Sequence, residues 1–166
     1  RAQVARCGAA LEASGVGPGD RVAALLPNVP ETVIAMLATA SLGAVWSSCS
    51  PDFGVQGVRD RFGQIEPKVL LACDGYVYAG KRCAVLPTVA ELQRALPSVT
   101  RTVVVPFLDD ALDLGVLDDA ISWRTWLDDA PDRPLTFRQV PFDHPLAILY
   151  SSGTTGLPRC MVHSVG

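Results

Sequence analysis

The chain has 166 residues, 49% of them hydrophobic, and a formal net charge of −3. That balance suits a globular chain with a substantial core and excludes an electrostatic nucleic-acid binder, because Arg and Lys are scattered among carboxylates without a basic run. The most apolar stretch, Val33 to Trp46, is shorter than the roughly 20 residues a membrane-spanning helix needs, and five cysteines without a CxxC or Cys/His spacing read as reduced thiols of a cytoplasmic protein with no metal site.

In chain order, residues 2–14 read as a helix with Val4, Cys7, Ala10 and Leu11 on one face, ending at Gly15. Arg21 to Leu26 is a short apolar strand closed by Pro27. Pro30-Glu31 opens a helix running to about Leu42, with proline early and an acid in the first turn. This helix has almost no polar face, so burial between layers is expected. Ala44 to Ser48 is the next strand, and residues 54–65 form a helix that turns Val55, Val58, Phe62 and Ile65 inward. Lys68 to Ala72 has the near-continuous apolar character of a strand inside a parallel sheet.

Further on, Cys83 to Leu86 suggests a short strand, Val89 to Leu96 a helix, and Arg101 to Val105 another buried strand. Residues 109–119 are acidic and read as a surface excursion. Trp123, Trp126 and Leu127 fall on one side of a short helix, as packing anchors. Four prolines between 131 and 145 mark a connecting segment, and Leu146 to Tyr150 is the final apolar strand before a polar loop. Strands spaced by helices predict an α/β fold, a mostly parallel, doubly wound sheet with flanking helices and right-handed crossovers.

The stretch richest in chemistry is Tyr150-Ser151-Ser152-Gly153-Thr154-Thr155-Gly156-Leu157-Pro158-Arg159. Its glycines let the backbone curl with N–H groups inward, its hydroxyls add donors, Pro158 opposes helix formation and Arg159 brings fixed positive charge. No carboxylate follows Asp143. The glycines are too close together for the usual P-loop. Two readings stand: a loop that holds nucleotide phosphates, or a Ser/Thr/Gly-rich hairpin turn with Met161-Val162-His163 opening a second strand.

This decapeptide resembles the signature loop of the adenylate-forming superfamily, which includes acyl-CoA synthetases, firefly luciferase and peptide-synthetase adenylation domains. The signature usually ends in Pro-Lys, and Arg159 stands in the lysine's place here. Gly43-Ala-Val-Trp-Ser-Ser-Cys-Ser-Pro-Asp-Phe-Gly54, with Val58 to Phe62, Gln64 to Leu70, Asp74-Gly75-Tyr76, Gly80-Lys81 and His163-Ser164, is similar to the acetoacetyl-CoA synthetase branch. The resemblance is strong over 20–81 and 142–166 and thin over 82–140. It implies an acid–thiol ligase that activates acetoacetate with ATP and transfers the acyl group to CoA. ATP and CoA would be cosubstrates, with Mg2+ accompanying ATP and no nucleic acid or membrane partner. On this basis Ser151, Ser152, Gly153, Thr154, Thr155, Gly156 and Arg159 are the expected ATP-phosphate contacts.

A start at Arg1 inside a helix and an end just past the loop lead us to expect 1–166 to be an incomplete part of an N-terminal AMP-binding domain, inactive alone. The adenine, metal and adenylate-contacting residues are expected beyond it, and no catalytic residue is assigned within it. An acetyl- or propionyl-type synthetase, or a noncatalytic nucleotide-binding or interaction module, are the alternatives. Trp46 and Phe53 are read as core packing, and Asp60, Arg61 and Glu66 as a solvated face or local ion pairs. Cys49 and Cys160 are read as small packing residues, and His163 as a polar residue in the strand after the loop, like His144 without a catalytic partner.

Overall fold

The computed structural model describes residues 1–152 and 156–166. Its helices are α1 (Ala2–Ala13), α2 (Pro30–Ser41), α3 (Val55–Phe62), α4 (Leu86–Ala95) and α5 (Trp123–Asp128). The strands are β1 (Arg21–Leu25), β2 (Val45–Cys49), β3 (Val69–Cys73), β4 (Gly75–Tyr78), β5 (Lys81–Ala84), β6 (Arg101–Val105), β7 (Ala120–Ser122), β8 (Pro145–Ser151) and β9 (Arg159–Ser164).

Seven strands form one sheet in the order β7-β6-β3-β1-β2-β8-β9. Every neighbouring pair is parallel except β8 and β9. The chain steps from β1 to β2 on one side, then crosses back past β1 to β3. Right-handed crossovers of opposite direction put their helices on opposite faces, α2 on one and α3 and α4 on the other. Accordingly α1 packs on α2 and α5, while α3 packs on α4. The expected doubly wound α/β architecture is therefore present. Its core runs through the fully buried Val22 to Leu25, Val69 to Cys73, Val103 and Val104, with Phe62, Leu92 and Leu11 packed from the helices. Near-continuous burial of β1 and β3 is the pattern of strands covered on both faces.

Three local readings change. Helix α2 is not buried all round: Val33, Met36 and Leu37 remain 53%, 39% and 48% exposed, while Ala35, Ala38, Thr39 and Ser41 are buried. Its small residues face α1 closely, with Gly8 approached by the Ser41 hydroxyl, and the larger side chains cannot share so narrow a gap. The strand expected at 83–86 is instead the second arm of a separate antiparallel hairpin, β4–β5, and Leu86 already belongs to α4. A three-residue strand, β7, precedes α5. Trp123 and Trp126 are buried against each other with ring centroids 5.6 Å apart, as packing anchors should be.

Candidate functional site

In a parallel sheet all carboxyl ends share one edge, where ligands bind in open α/β folds. Strand β8 enters the sheet beside β2, with Trp46 opposite Ala147 and Ser47 opposite Ile148. It ends at Ser151, directly across the ladder from Arg159, the first residue of β9. Residues 152–158 separate the two strands in sequence. The hairpin reading therefore describes the ladder correctly, yet the connection is much longer than a two-residue turn and leaves room for the phosphate-holding role.

Of the expected phosphate contacts, Ser151 is half-buried at the strand end, while Ser152, Gly156 and Arg159 are exposed. Gly153, Thr154 and Thr155 lie outside the described residues. Gly156 has φ +136°, which L side chains rarely adopt, and a Cβ there would meet nothing within 4 Å. Backbone conformation, not crowding, requires glycine at this point. None of the five ion pairs among the described residues engages Arg159.

Two groups of side chains fix the stems of this loop, and the sequence analysis identified neither. At the first stem the buried Ser47 hydroxyl donates to the Ile148 carbonyl at 2.9 Å and lies 3.0 Å from the Tyr150 hydroxyl. A serine has one proton to donate, so Tyr150 donates to Ser47. Burial raises the Tyr150 pKa and keeps the phenol protonated. Its ring lies 6.4 Å from Phe62. The Arg61 guanidinium sits 4.4 Å above the Phe53 ring and 5.9 Å from that of Tyr150, and donates to the Gly57 carbonyl at 2.7 Å. Arg61 is thus a stacked cation rather than half of a surface ion pair, and Phe53, 37% exposed, is its platform rather than core. A Cβ on Gly57 would come within 3.1 Å of Phe53, so the glycine admits the stack.

At the second stem Gln64, just past α3, uses its whole amide. Its Nε2 donates to the carbonyls of Asp60 at 2.5 Å and Pro158 at 2.9 Å, and its Oε1 accepts from the Cys160 thiol at 3.6 Å. Cys160 is therefore an exposed participant at the loop's root, not packing. Cys49 is buried as expected, and burial pushes its thiol up to about 11 despite the nearby Arg61 charge. His163 is exposed in β9 opposite Ala147, and His144 Nε2 meets the Gly43 carbonyl at 2.7 Å. A cleft of about 450 Å³ opens over the ends of β1 and β2, with Asn28, Thr32, Ser50, Asp52, Tyr76 and Tyr78 in its wall. Among the described residues no group of three His, Cys, Asp or Glu side chains could hold a metal ion, and no helix is long and apolar enough to cross a membrane.

The mostly parallel sheet thus carries a hydroxyl- and glycine-rich connection after β8. The family model for AMP-binding enzymes matches residues 1–166, and the chain belongs to that family. It is 52% identical over 167 residues to the acetoacetyl-coenzyme A synthetase of Rhizobium meliloti (strain 1021), covering 100% of this chain and 25% of that protein. The structure of acetoacetyl-CoA synthetase from Streptomyces lividans superposes with a TM-score of 0.89 at 51% identity, over 98% of this chain and 24% of that one. Malonamoyl-CoA synthetase vrtB of Penicillium aethiopicum is 40% identical over 174 residues, covering 98% of this chain and 23% of that protein. The chain thus spans about a quarter of the length of these relatives.

Proposed function

We propose that this chain is the phosphate-holding segment of an acid–thiol ligase that activates acetoacetate. In that reaction a carboxylate oxygen attacks the α-phosphorus of ATP and the bond to pyrophosphate breaks. The CoA sulfur then attacks the acyl carbon and AMP leaves with the bonding pair. The first barrier is dominated by charge gathering on the departing pyrophosphate, so donors aimed at the β- and γ-phosphates lower it. Ser151, Ser152, Gly153, Thr154, Thr155 and Gly156 would supply hydroxyl and backbone N–H donors, and Arg159 would neutralise phosphate charge. Mg2+ would travel with ATP, held largely by phosphate oxygens and water.

The observation that carries this reading is the pairing of Ser151 with Arg159 at the mouth of the glycine-containing loop, on the carboxyl edge of the sheet. Acetoacetate is proposed as the acid from the 52% identical relative. The malonamoyl-CoA synthetase at 40% identity favours a second reading, another short acid with a polar group beyond the carboxylate. The test is ATP–pyrophosphate exchange by the full-length protein with acetoacetate, malonamate, acetate and propionate. The proposal expects the highest kcat/KM with acetoacetate. Highest kcat/KM with malonamate would transfer the assignment to the second reading, and no exchange with any acid would sink the ligase reading.

A further inference from the structure

We propose that Gln64 is a positioning residue for the loop, acting by setting where Arg159 stands; this rests on the phosphate-holding reading above. Gln64 is exposed, yet every hydrogen-bonding position of its amide nitrogen is used within the protein. One N–H closes onto Asp60 in its own helical turn and the other reaches Pro158, 94 residues away. The Oε1 receives the Cys160 thiol. Pro158 and Cys160 are the two neighbours of Arg159, so a single side chain binds the backbone carbonyl on one side of the loop's cation and the thiol side chain on the other. Exposed glutamines ordinarily spend their amide on water, and immobilising one costs side-chain entropy. Here that ordering joins the end of α3 to the root of the connection.

The companion grip is on the other stem, where Arg61 and Phe62 at the end of α3 meet the Tyr150 ring. The last turn of α3 and the residue just past its C-cap therefore hold both strand ends that flank the loop. Holding the donors in place before ATP arrives removes an ordering cost from binding, so loss of the grip should appear in ATP affinity first.

Gln64→Met keeps size and neutrality while removing the donors and the carbonyl oxygen. In the full-length protein, assayed by ATP–pyrophosphate exchange with acetoacetate, we expect it to raise the KM for ATP about fivefold and to leave the KM for acetoacetate within about 1.5-fold. In an Arg159→Ala background the same substitution should change the KM for ATP by less than about 1.5-fold, because two residues acting through one contact are not additive. An unchanged KM for ATP, or an equal fold-change in both backgrounds, overturns the proposal. If Arg159→Ala raises the KM for ATP and Gln64→Met does not, only the positioning role fails. If Arg159→Ala itself leaves the KM for ATP unchanged, the phosphate-holding reading beneath it fails as well.

Discussion

Ser151 and Arg159 face each other across the last rung of the β8–β9 ladder, one ending its strand and the other beginning the next. Residues directly opposite on antiparallel strands carry their side chains on the same face. A hydroxyl and a guanidinium thus flank the entrance of the loop together. Truncating the cation should be felt by whatever anion the loop receives.

Arg159→Ala in the full-length protein should raise the KM for ATP by about 10-fold or more, the loss expected for one hydrogen bond to a charged group. Arg159→Lys should recover most of it, since a compact ammonium can serve as a phosphate-binding point charge. Pyrophosphate-exchange kinetics at several ATP concentrations check both. Equal ATP affinity in wild type and alanine variant would remove Arg159 from the site.

Ser47 and Tyr150 should respond unequally. Ser47→Ala removes a buried group that serves both the Ile148 carbonyl and the Tyr150 hydroxyl, and should cost about 1–3 kcal/mol. Tyr150→Phe leaves the Ser47–Ile148 bond intact and should cost about 0.5–1.5 kcal/mol, because only one typical hydrogen bond is lost. Urea denaturation of the two variants beside wild type gives the comparison. A larger loss for Tyr150→Phe would contradict the proton assignment.

Asp74 is buried at the end of β3, where its carboxylate accepts backbone N–H bonds from Phe107, Leu108 and Asp109 at 2.7, 3.0 and 2.9 Å. Asp74→Ala leaves those amides unpaired and should destabilise by about 2–4 kcal/mol. Asp74→Asn keeps one acceptor but presents an NH2 to a donor, so an intermediate loss is expected. Thermal unfolding should rank wild type, Asn and Ala in that order.

The thiols predict an alkaline limit. Burial pushes Cys7 and Cys73 up to about 12, and Cys49 to about 11. Above their ordinary values near 9, the unfolded chain sheds these protons while the folded chain keeps them. Stability from the neutral buried thiols is therefore whole below about pH 9 and declines as pH rises towards 11–12. Denaturation midpoints at pH 8 and 10 measure the fall, with Cys→Ser controls for each thiol. At pH 8 an alkylating reagent should modify the exposed Cys160 well before Cys7 or Cys73.

Where burial and hydropathy coincide, the fold was legible. Arg101 to Val105 and the inward residues Val58 and Phe62 follow directly from apolar runs and helical spacing. Helix α2 departs from its hydropathy because that scale ranks Val33 and Met36 above Ala38 and Ser41, whereas close packing on α1 selects for small size. The β4–β5 hairpin escaped notice because its turn places Ala79 at φ +48° before Gly80 at +76°, without the Asn-Gly or Asp-Gly pair that usually announces such a turn. The loop itself was visible in its composition. Its supports were not, since nothing local to Gln64 or Arg61 signals a partner some ninety residues downstream.

Those long-range supports also bear on the order of assembly. Ser47 and Gln64 reach β8 and the loop root across 101 and 94 positions of chain. Closing so wide a circuit costs entropy that neighbouring strand–helix units do not incur. Early refolding should thus yield a central α/β scaffold whose β8 and loop-root contacts are still unmade, and, on the proposed phosphate-holding role, ATP binding should arrive only with the last stage of consolidation.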